Sequence, residues 1–199
     1  VLERKSALVG ALQSGGRSGA TGQRRLRIGE TRGWNLLQVA AFSATLEELE
    51  QAVRPLLGGD LPTRLGKAIS LNGRRLLKTG PQQFWIITRA SEDLTTAFEA
   101  AVTQDIGAVT PLSHSRTCIF VEGLSARELL TTGIALDLHP DAFQLDSFAL
   151  TGLHHTPIMI HRSGDNRYDL YVMRTFALWT WEWLTDAVLP YGYEIVLPL

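Results

Sequence analysis

The sequence predicts an α+β protein built from two β-α-β-β-β-α subdomains, and three observations carry that reading. The stretch TPLSHSRTCIFVEGLSARELLTTG, from Thr110 to Gly133, reads as a buried strand passing directly into a capped helix. Asn72-Gly73 lies between two short strand-like runs and is the dipeptide that most readily supplies both positive φ angles of a type I′ hairpin turn. The order of elements also recurs. Trp34 matches Arg116, Thr45 matches Ser125, Gln83 matches Tyr168 and Ser91 matches Arg174, at offsets of roughly 80 to 86 positions.

Taken in order, residues 1–30 are the least foldable part of the chain. SGGRSGATGQRRLR mixes glycine, serine and four arginines without a helical or strand period, and reads as a leader that is flexible or docked on a partner. A first α+β subdomain is expected over 31–107 and a second over 108–199, together one compact domain. WNLLQVAAF, from Trp34, reads as a strand. Thr45 and Glu48 form a capping box ahead of Leu46, Leu49, Val53 and Leu56, and Pro55 limits the helix to about three turns. Ala68–Leu71 and Arg74–Lys78 are the hairpin strands, Gln83–Thr88 is a third strand, and a helix starts at Ser91 with Leu94, Ala97, Phe98 and Ala101 on one face.

In the second half, Arg116–Glu122 sets Thr117, Ile119 and Val121 on one side and Cys118 and Phe120 on the other. Both faces are apolar or nearly so, which predicts a central strand. Ser125 and Glu128 form a second capping box, Leu124 and Leu129 occupy the staple positions, and Gly133 is the expected left-handed terminator. Strands follow over Leu145–Leu153, Pro157–Arg162 and Tyr168–Met173, with the polar turn SGDNR before the last, and a final helix starts near Thr175. In FALWTWEWLTDAV, Trp179 and Trp183 fall near one side of Phe176, and Trp181, Leu184 and Val188 lie well round the cylinder. The apolar arc spans about 200°, wider than the roughly 100° stripe one core requires. Either the chain buries this helix on two sides, or the tryptophan-rich flank with Trp181 meets another subunit.

Composition excludes several functions. The chain of 199 residues is 45% hydrophobic, enough for a substantial core, and its 19 basic and 20 acidic residues leave a formal charge of −1, with no global field to gather nucleic acid. Cys118, the single cysteine, excludes an internal disulfide and a multi-cysteine zinc site, and a cytoplasmic location is expected. No apolar run approaches the roughly 18 residues that span a bilayer, and the N-terminal stretch lacks the apolar region of a secretory signal.

The side chains that could carry chemistry do not form a convincing set. His154 and His155 are adjacent and would face opposite sides of a strand. With His161, Asp137, His139 and Asp141 they match no established metal-ligand spacing. Ser113, His114 and Ser115 are neighbours in sequence and lack the GxSxG elbow of a hydrolase nucleophile. GDLPTRLGKA, from Gly59 to Ala68, departs from a phosphate loop in glycine spacing and has Ala68 where a hydroxyl should hold magnesium. GGRSGATG is not a dinucleotide fingerprint. No catalytic, cofactor-binding or metal residue is therefore assigned. Arg24, Arg25 and Arg27 leave an RNA-contacting role as a weaker reading.

SHSRTCIFVEGLSARELLTTGIALDLHPDAFQ, from Ser113 to Gln144, together with TPIMIHR, YDLYVMRTFALWTWEWLTDA and the closing YG, resembles the gamma-subunit family of heterotetrameric sarcosine oxidases. In the first half the likeness rests on ERKSAL, RGWNLLQVAAF and GPQQFWII, and it is strongest from Pro111 to Gly192. The resemblance implies a fold similar to the folate-binding domain of aminomethyltransferases. It also implies an accessory role in an enzyme that oxidises sarcosine to glycine and hydrogen peroxide and passes the one-carbon unit to tetrahydrofolate. In that family FAD, FMN, NAD and tetrahydrofolate are associated with the larger alpha and beta subunits and zinc with the delta subunit, so alpha, beta and delta subunits are the implied partners. Related complexes act on other N-methyl amino acids or proline-like amines. A stand-alone folate-binding, aminomethyltransferase-like protein is the alternative.

Overall fold

The computed structural model describes residues 5–19 and 25–198. In chain order these form β1 (Gly15–Ser18), β2 (Leu26–Thr31), β3 (Trp34–Ala41), α1 (Leu46–Leu57), β4 (Ala68–Leu71), β5 (Arg74–Gly80), β6 (Gln83–Arg89), α2 (Thr95–Ala101) and β7 (Gly107–Pro111). The second half continues with β8 (Arg116–Glu122), α3 (Ala126–Thr131), β9 (Phe148–Leu153), β10 (Thr156–Gly164), β11 (Arg167–Met173), α4 (Ala177–Ala187) and β12 (Gly192–Val196). A single 3-10 turn, Arg174–Phe176, leads into α4. The mixed α+β class and the repeated β-α-β-β-β-α order are both present, and no helix among the described residues is long and apolar enough to cross a membrane.

The chain divides into two units. One is Gly33–Ser113; the other combines the chain up to Arg32 with the chain from His114 onward. In the Gly33–Ser113 unit the sheet order is β4-β5-β6-β3-β7, antiparallel throughout. Leu49, Val53 and Leu57 of α1 and Phe98 of α2 pack with Leu37, Val39, Phe84 and Ile86 into one apolar cluster. Burial of each such side chain contributes roughly 1.5–3 kcal/mol. The Asn72-Gly73 turn forms as its sequence requires, with φ of 52° and 76°. Asn72 also donates from Nδ2 to the Leu57 carbonyl at 3.0 Å, satisfying an orphan acceptor at the end of α1. α2 starts at Thr95, later than its Ser91 expectation. The Thr95 hydroxyl, and with it the Thr95 N–H at 2.9 Å, donate to the Asp93 carboxylate and hold it below the usual carboxylate range.

In the other unit the sheet order is β1-β12-β2-β8-β11-β10-β9, with β12 and β2 the parallel pair. β8 occupies the predicted central place, between β2 and β11. Its Ile119 and Val121 meet Ile28, Leu170 and Val172 from the sheet, Leu129 and Leu130 from α3, and Trp181 and Leu184 from α4. Leu8, fully buried, joins the same cluster from the N-terminal segment.

The two sheets exchange a strand in sequence terms. β2 is separated from β3 by Arg32 and Gly33 alone, yet it pairs with β8, from Arg27 opposite Glu122 to Thr31 opposite Cys118. β7 leads into β8 in the same way, yet it pairs with β3, from Gly107 opposite Ala41 to Pro111 opposite Leu37. β8 and β3 therefore each take one neighbour from the segment that introduces the other.

Several local expectations are corrected. The leader read through residue 30 contains an edge strand, β1, and runs into a core strand, β2; β1 is held by its antiparallel ladder with β12, with all four residues exposed. Residues 20–24, Arg24 included, lie outside the described residues. Unit boundaries fall at Gly33 and Ser113, where the sequence suggested 31 and 107, because β7 closes the first sheet. Neither capping box forms. The Thr45 hydroxyl accepts the Phe42 N–H and donates to the Ile106 carbonyl, tying the start of α1 to the segment before β7. Ser125 Oγ makes no cap bond, and the staple is absent because Leu124 is 75% exposed. Gly123, directly before Leu124, takes φ 131°, a backbone conformation that L side chains rarely adopt.

Gly123 also fixes the approach of the exchanged strand, since a Cβ there would lie 2.1 Å from the Arg25 carbonyl oxygen. Gly123→Ala is expected to lower stability by about 2–4 kcal/mol through combined backbone strain and overpacking. Urea unfolding of the full chain checks this; an unchanged midpoint would show that the segment entering β2 shifts freely.

Candidate functional site

Two polar or exposed features stand apart from the cores. The first is the outer face of α4. Ala177, Thr180, Trp181 and Leu184 are buried and Val188 continues that stripe, so the helix is anchored by positions at helical spacing. Trp181, expected on a partner-facing flank, is only 3% exposed and belongs to the core; this corrects the assignment of Trp181 as a subunit contact. At about 100° per residue, Trp179, Glu182, Trp183 and Asp186 point the opposite way, spaced i, i+3, i+4 and i+7. Trp179 is 41% exposed, Glu182 and Asp186 are exposed, and Trp183 is partly buried.

The β9–β10 hairpin supports this face. His154 and His155 form its two-residue turn, with Leu153 paired to Thr156 and His154 at φ 49°. The His154 ring stands edge-on to Trp183 at 5.6 Å between centroids and to Trp179 at 6.4 Å. Its backbone N–H donates to the Gly133 carbonyl at 2.8 Å. Gly133 does not serve as the left-handed helix terminator; a Cβ there would lie 2.6 Å from Trp183 Cζ2 and 2.7 Å from Leu153 Cδ1. Glycine is required here so that the Trp183 indole can settle against α3's end.

The second feature is a cleft of ≈ 290 Å³ lined by Arg27, Glu30, Thr31, Arg32, Phe120, Glu122 and Arg167, with Val196, Leu197 and Pro198 at its rim. Arg167 lies 4.3 Å above the Phe120 ring, donates from Nε to Asp169 at 3.2 Å and from Nη2 to Thr31 Oγ1 at 3.3 Å, and stands 3.5 Å from Glu122. Arg27 donates to the same Glu122 carboxylate at 3.1 Å. Glu30, 6% exposed, accepts from the Ser6 hydroxyl at 2.6 Å and from Arg32 Nε at 2.7 Å. Each carboxylate is therefore already matched by an arginine. The cleft is a self-neutralised network with no uncompensated charge aimed at a ligand.

The side chains singled out from sequence are dispersed. His161 is fully buried on β10, 3.7 Å from Asp146, whereas His139 lies 3.4 Å from Asp141 in an exposed loop whose backbone Asp137 caps. Among the described residues, no three His, Cys, Asp or Glu side chains converge as a metal set. Ser113 Oγ accepts the Leu36 N–H at 2.9 Å, and Ser115 Oγ accepts from Arg116; His114 is exposed. These contacts fasten strand ends. Cys118 is buried on β8, and Gly59–Ala68 is a loop entering β4. Arg25 is exposed, Arg27 is paired as above, and Arg24 lies outside the described residues. The Arg167 network could not be found from sequence, because it joins β2, β8 and β11 across the exchanged strand.

The family model for "Sarcosine oxidase, gamma subunit family" matches residues 43–189, most of the chain. The chain belongs to that family. The sarcosine oxidase subunit gamma of Corynebacterium sp. (strain P-1) is 30% identical over 146 residues, covering 73% of this chain and 72% of the relative. That of Corynebacterium sp. (strain U-96) is 28% identical over 138 residues, covering 69% and 67%. In solved structures, a chain of the heterotetrameric sarcosine oxidase from Corynebacterium sp. U-96 in complex with pyrrole 2-carboxylate matches with TM-score 0.80 and 25% identity, covering 94% of this gamma-family chain and 96% of its own length. The glycine cleavage system aminomethyltransferase T from Bartonella henselae shares the fold at TM-score 0.62 and 15% identity, covering 87% of this chain and 48% of that one.

The two tryptophans of α4 are predicted to behave oppositely. Trp181→Ala should cost about 3–5 kcal/mol by opening the core, and Trp179→Ala less than about 1 kcal/mol. Chemical denaturation of the purified gamma-family variants measures both; equal losses would contradict the division of the helix into buried and outward faces.

Proposed function

We propose that this chain is the accessory gamma subunit of a cytoplasmic heterotetrameric sarcosine oxidase. The complex oxidatively demethylates sarcosine to glycine, with hydrogen peroxide and a one-carbon unit passed to tetrahydrofolate as the other products. The observation that carries this reading is the match, at TM-score 0.80 and over nearly the whole of both chains, to a chain of a heterotetrameric sarcosine oxidase. The partners in this reading are the alpha, beta and delta subunits, with FAD, FMN, NAD and tetrahydrofolate in the larger subunits and zinc in the delta subunit.

The chain's own role is structural, a reading supported by the chemistry of its polar groups. Tetrahydrofolate needs a slot for the pterin ring with polar groups free to meet its edge. The cleft around Arg167 does not fit, because Arg167 covers the Phe120 ring and Glu30, Glu122 and Asp169 are held by arginines. The groove along α1 is bordered by Glu47, Glu50, Gln51, Arg54 and Asp60 and offers no aromatic wall. No step of the oxidation is assigned to residues of this chain.

Tagged chain purified from its native host should bring down larger subunits in a yellow complex with flavin absorbance that releases hydrogen peroxide on addition of sarcosine. A colourless monomer would overturn the subunit reading. Tetrahydrofolate titrated into the isolated chain and followed by calorimetry should give no saturable binding; saturation would instead favour the stand-alone aminomethyltransferase-like alternative.

A further inference from the structure

We infer that the outward face of α4 is the docking site for an arginine-bearing segment of a larger subunit of the oxidase; this rests on the subunit reading above. The face places two indoles and two carboxylates in one stripe: Trp179, Glu182, Trp183 and Asp186. ALWTWEWLTDA contains both acids and no lysine or arginine, so the helix carries two negative charges without a base of its own. Among the described residues, neither carboxylate has a hydrogen-bonded or ionic partner.

The position of these acids sharpens the point. Glu182 is at the middle of α4 and Asp186 in its last turn, where exposed carbonyls already give the helix its negative end, and the last turn has no basic residue to offset them. A cation supplied from outside would relieve that arrangement. Trp179 is 41% exposed on the same helix face as the acids and is braced by the His154 ring in a T-shaped contact at 6.4 Å. A guanidinium suits this surface better than an ammonium, since it stacks flat on an indole and donates two parallel hydrogen bonds to a carboxylate. Phe176, 38% exposed, and Leu178, 47% exposed, extend the patch with apolar surface for the remainder of the segment.

The test is recovery of the larger subunits with tagged chain co-expressed in the whole complex, measured at low and high salt. Glu182→Lys with Asp186→Lys is expected to reduce recovery about tenfold or more, as like charges meet across the contact. Trp179→Ala is expected to reduce it by a similar factor. The isosteric pair Glu182→Gln with Asp186→Asn should retain more recovery and lose most of its dependence on salt, an effect that a folding defect would not produce. If wild-type chain retrieves the larger subunits and the charge variants do so equally well, the inference is overturned and the subunit reading stands. Loss of recovery with Trp179→Ala alone would assign the face to an apolar partner and also overturn it. If wild-type chain retrieves no larger subunit, both fall together.

Discussion

The antiparallel ladder between β2 and β8 is the contact on which most of the structure depends. It places Ile28 beside Val121 on the helical side of the sheet, so that the core under α3 and α4 closes. On the opposite face the same register brings Arg27 next to Glu122 and Thr31 within reach of Arg167, assembling the charged network of the cleft. Because only Arg32 and Gly33 separate β2 from β3, a strand inside one sheet is joined directly to β3 of the other. β7 imposes the reciprocal tie. The five-stranded sheet is built from the contiguous run β3 to β7, whereas the seven-stranded sheet takes strands from both sides of that run, so an element order repeated along the chain does not divide it into two contiguous halves.

α4 shows how one helix can serve two environments. Its buried stripe is conventional in spacing, with the added bulk of Trp181 filling the core. Its outer stripe could have been wholly polar at little cost. Instead it carries Trp179 and Trp183, and the structure makes room for the second by placing glycine at 133 and a two-residue turn at His154. The left-handed φ at His154 belongs to the two-residue turn, and the side-chain-free position at the end of α3 is the local concession to the packing of Trp183.

Much of this architecture was legible in the sequence where local chemistry decides the conformation. Arg116–Glu122 forms a central strand because both of its faces are apolar, and Asn72-Gly73 makes the tight hairpin because few other dipeptides tolerate its angles. The duplicated order followed from these local signals, and the wide apolar arc of the last helix separated Trp179 and Trp183 from Trp181 correctly. The arc could not say which flank faced solvent, since Trp181 and Trp179 are chemically alike and differ only in what packs against them. β1, β7 and β12 were invisible for another reason. GGRS, GAVTP and GYEIV owe their extended form to ladder partners far along the chain, and none has an alternation long enough to announce itself. The capping boxes failed for different reasons: the Thr45 hydroxyl is engaged by the Ile106 carbonyl, whereas Ser125 Oγ is buried without bonding the helix start.

The comparison of polar groups on the two faces of this molecule bears on where function resides. A catalytic or ligand-binding cleft normally keeps some charge or donor uncompensated, poised for what will enter. Around Arg167 the opposite holds, with arginines and carboxylates saturating one another and the one aromatic face covered by a guanidinium. On α4 the carboxylates remain unmatched and an indole remains open. The fold shared with aminomethyltransferase T does not by itself convey chemistry, since the same scaffold can retain its packing while its polar sites are rebuilt. In this chain the charged groups around Arg167 are devoted to cohesion, and the Glu182 and Asp186 carboxylates, without a partner among the described residues, lie on a helix surface suited to another chain. That distribution is the one expected of a subunit whose contribution is made through contact.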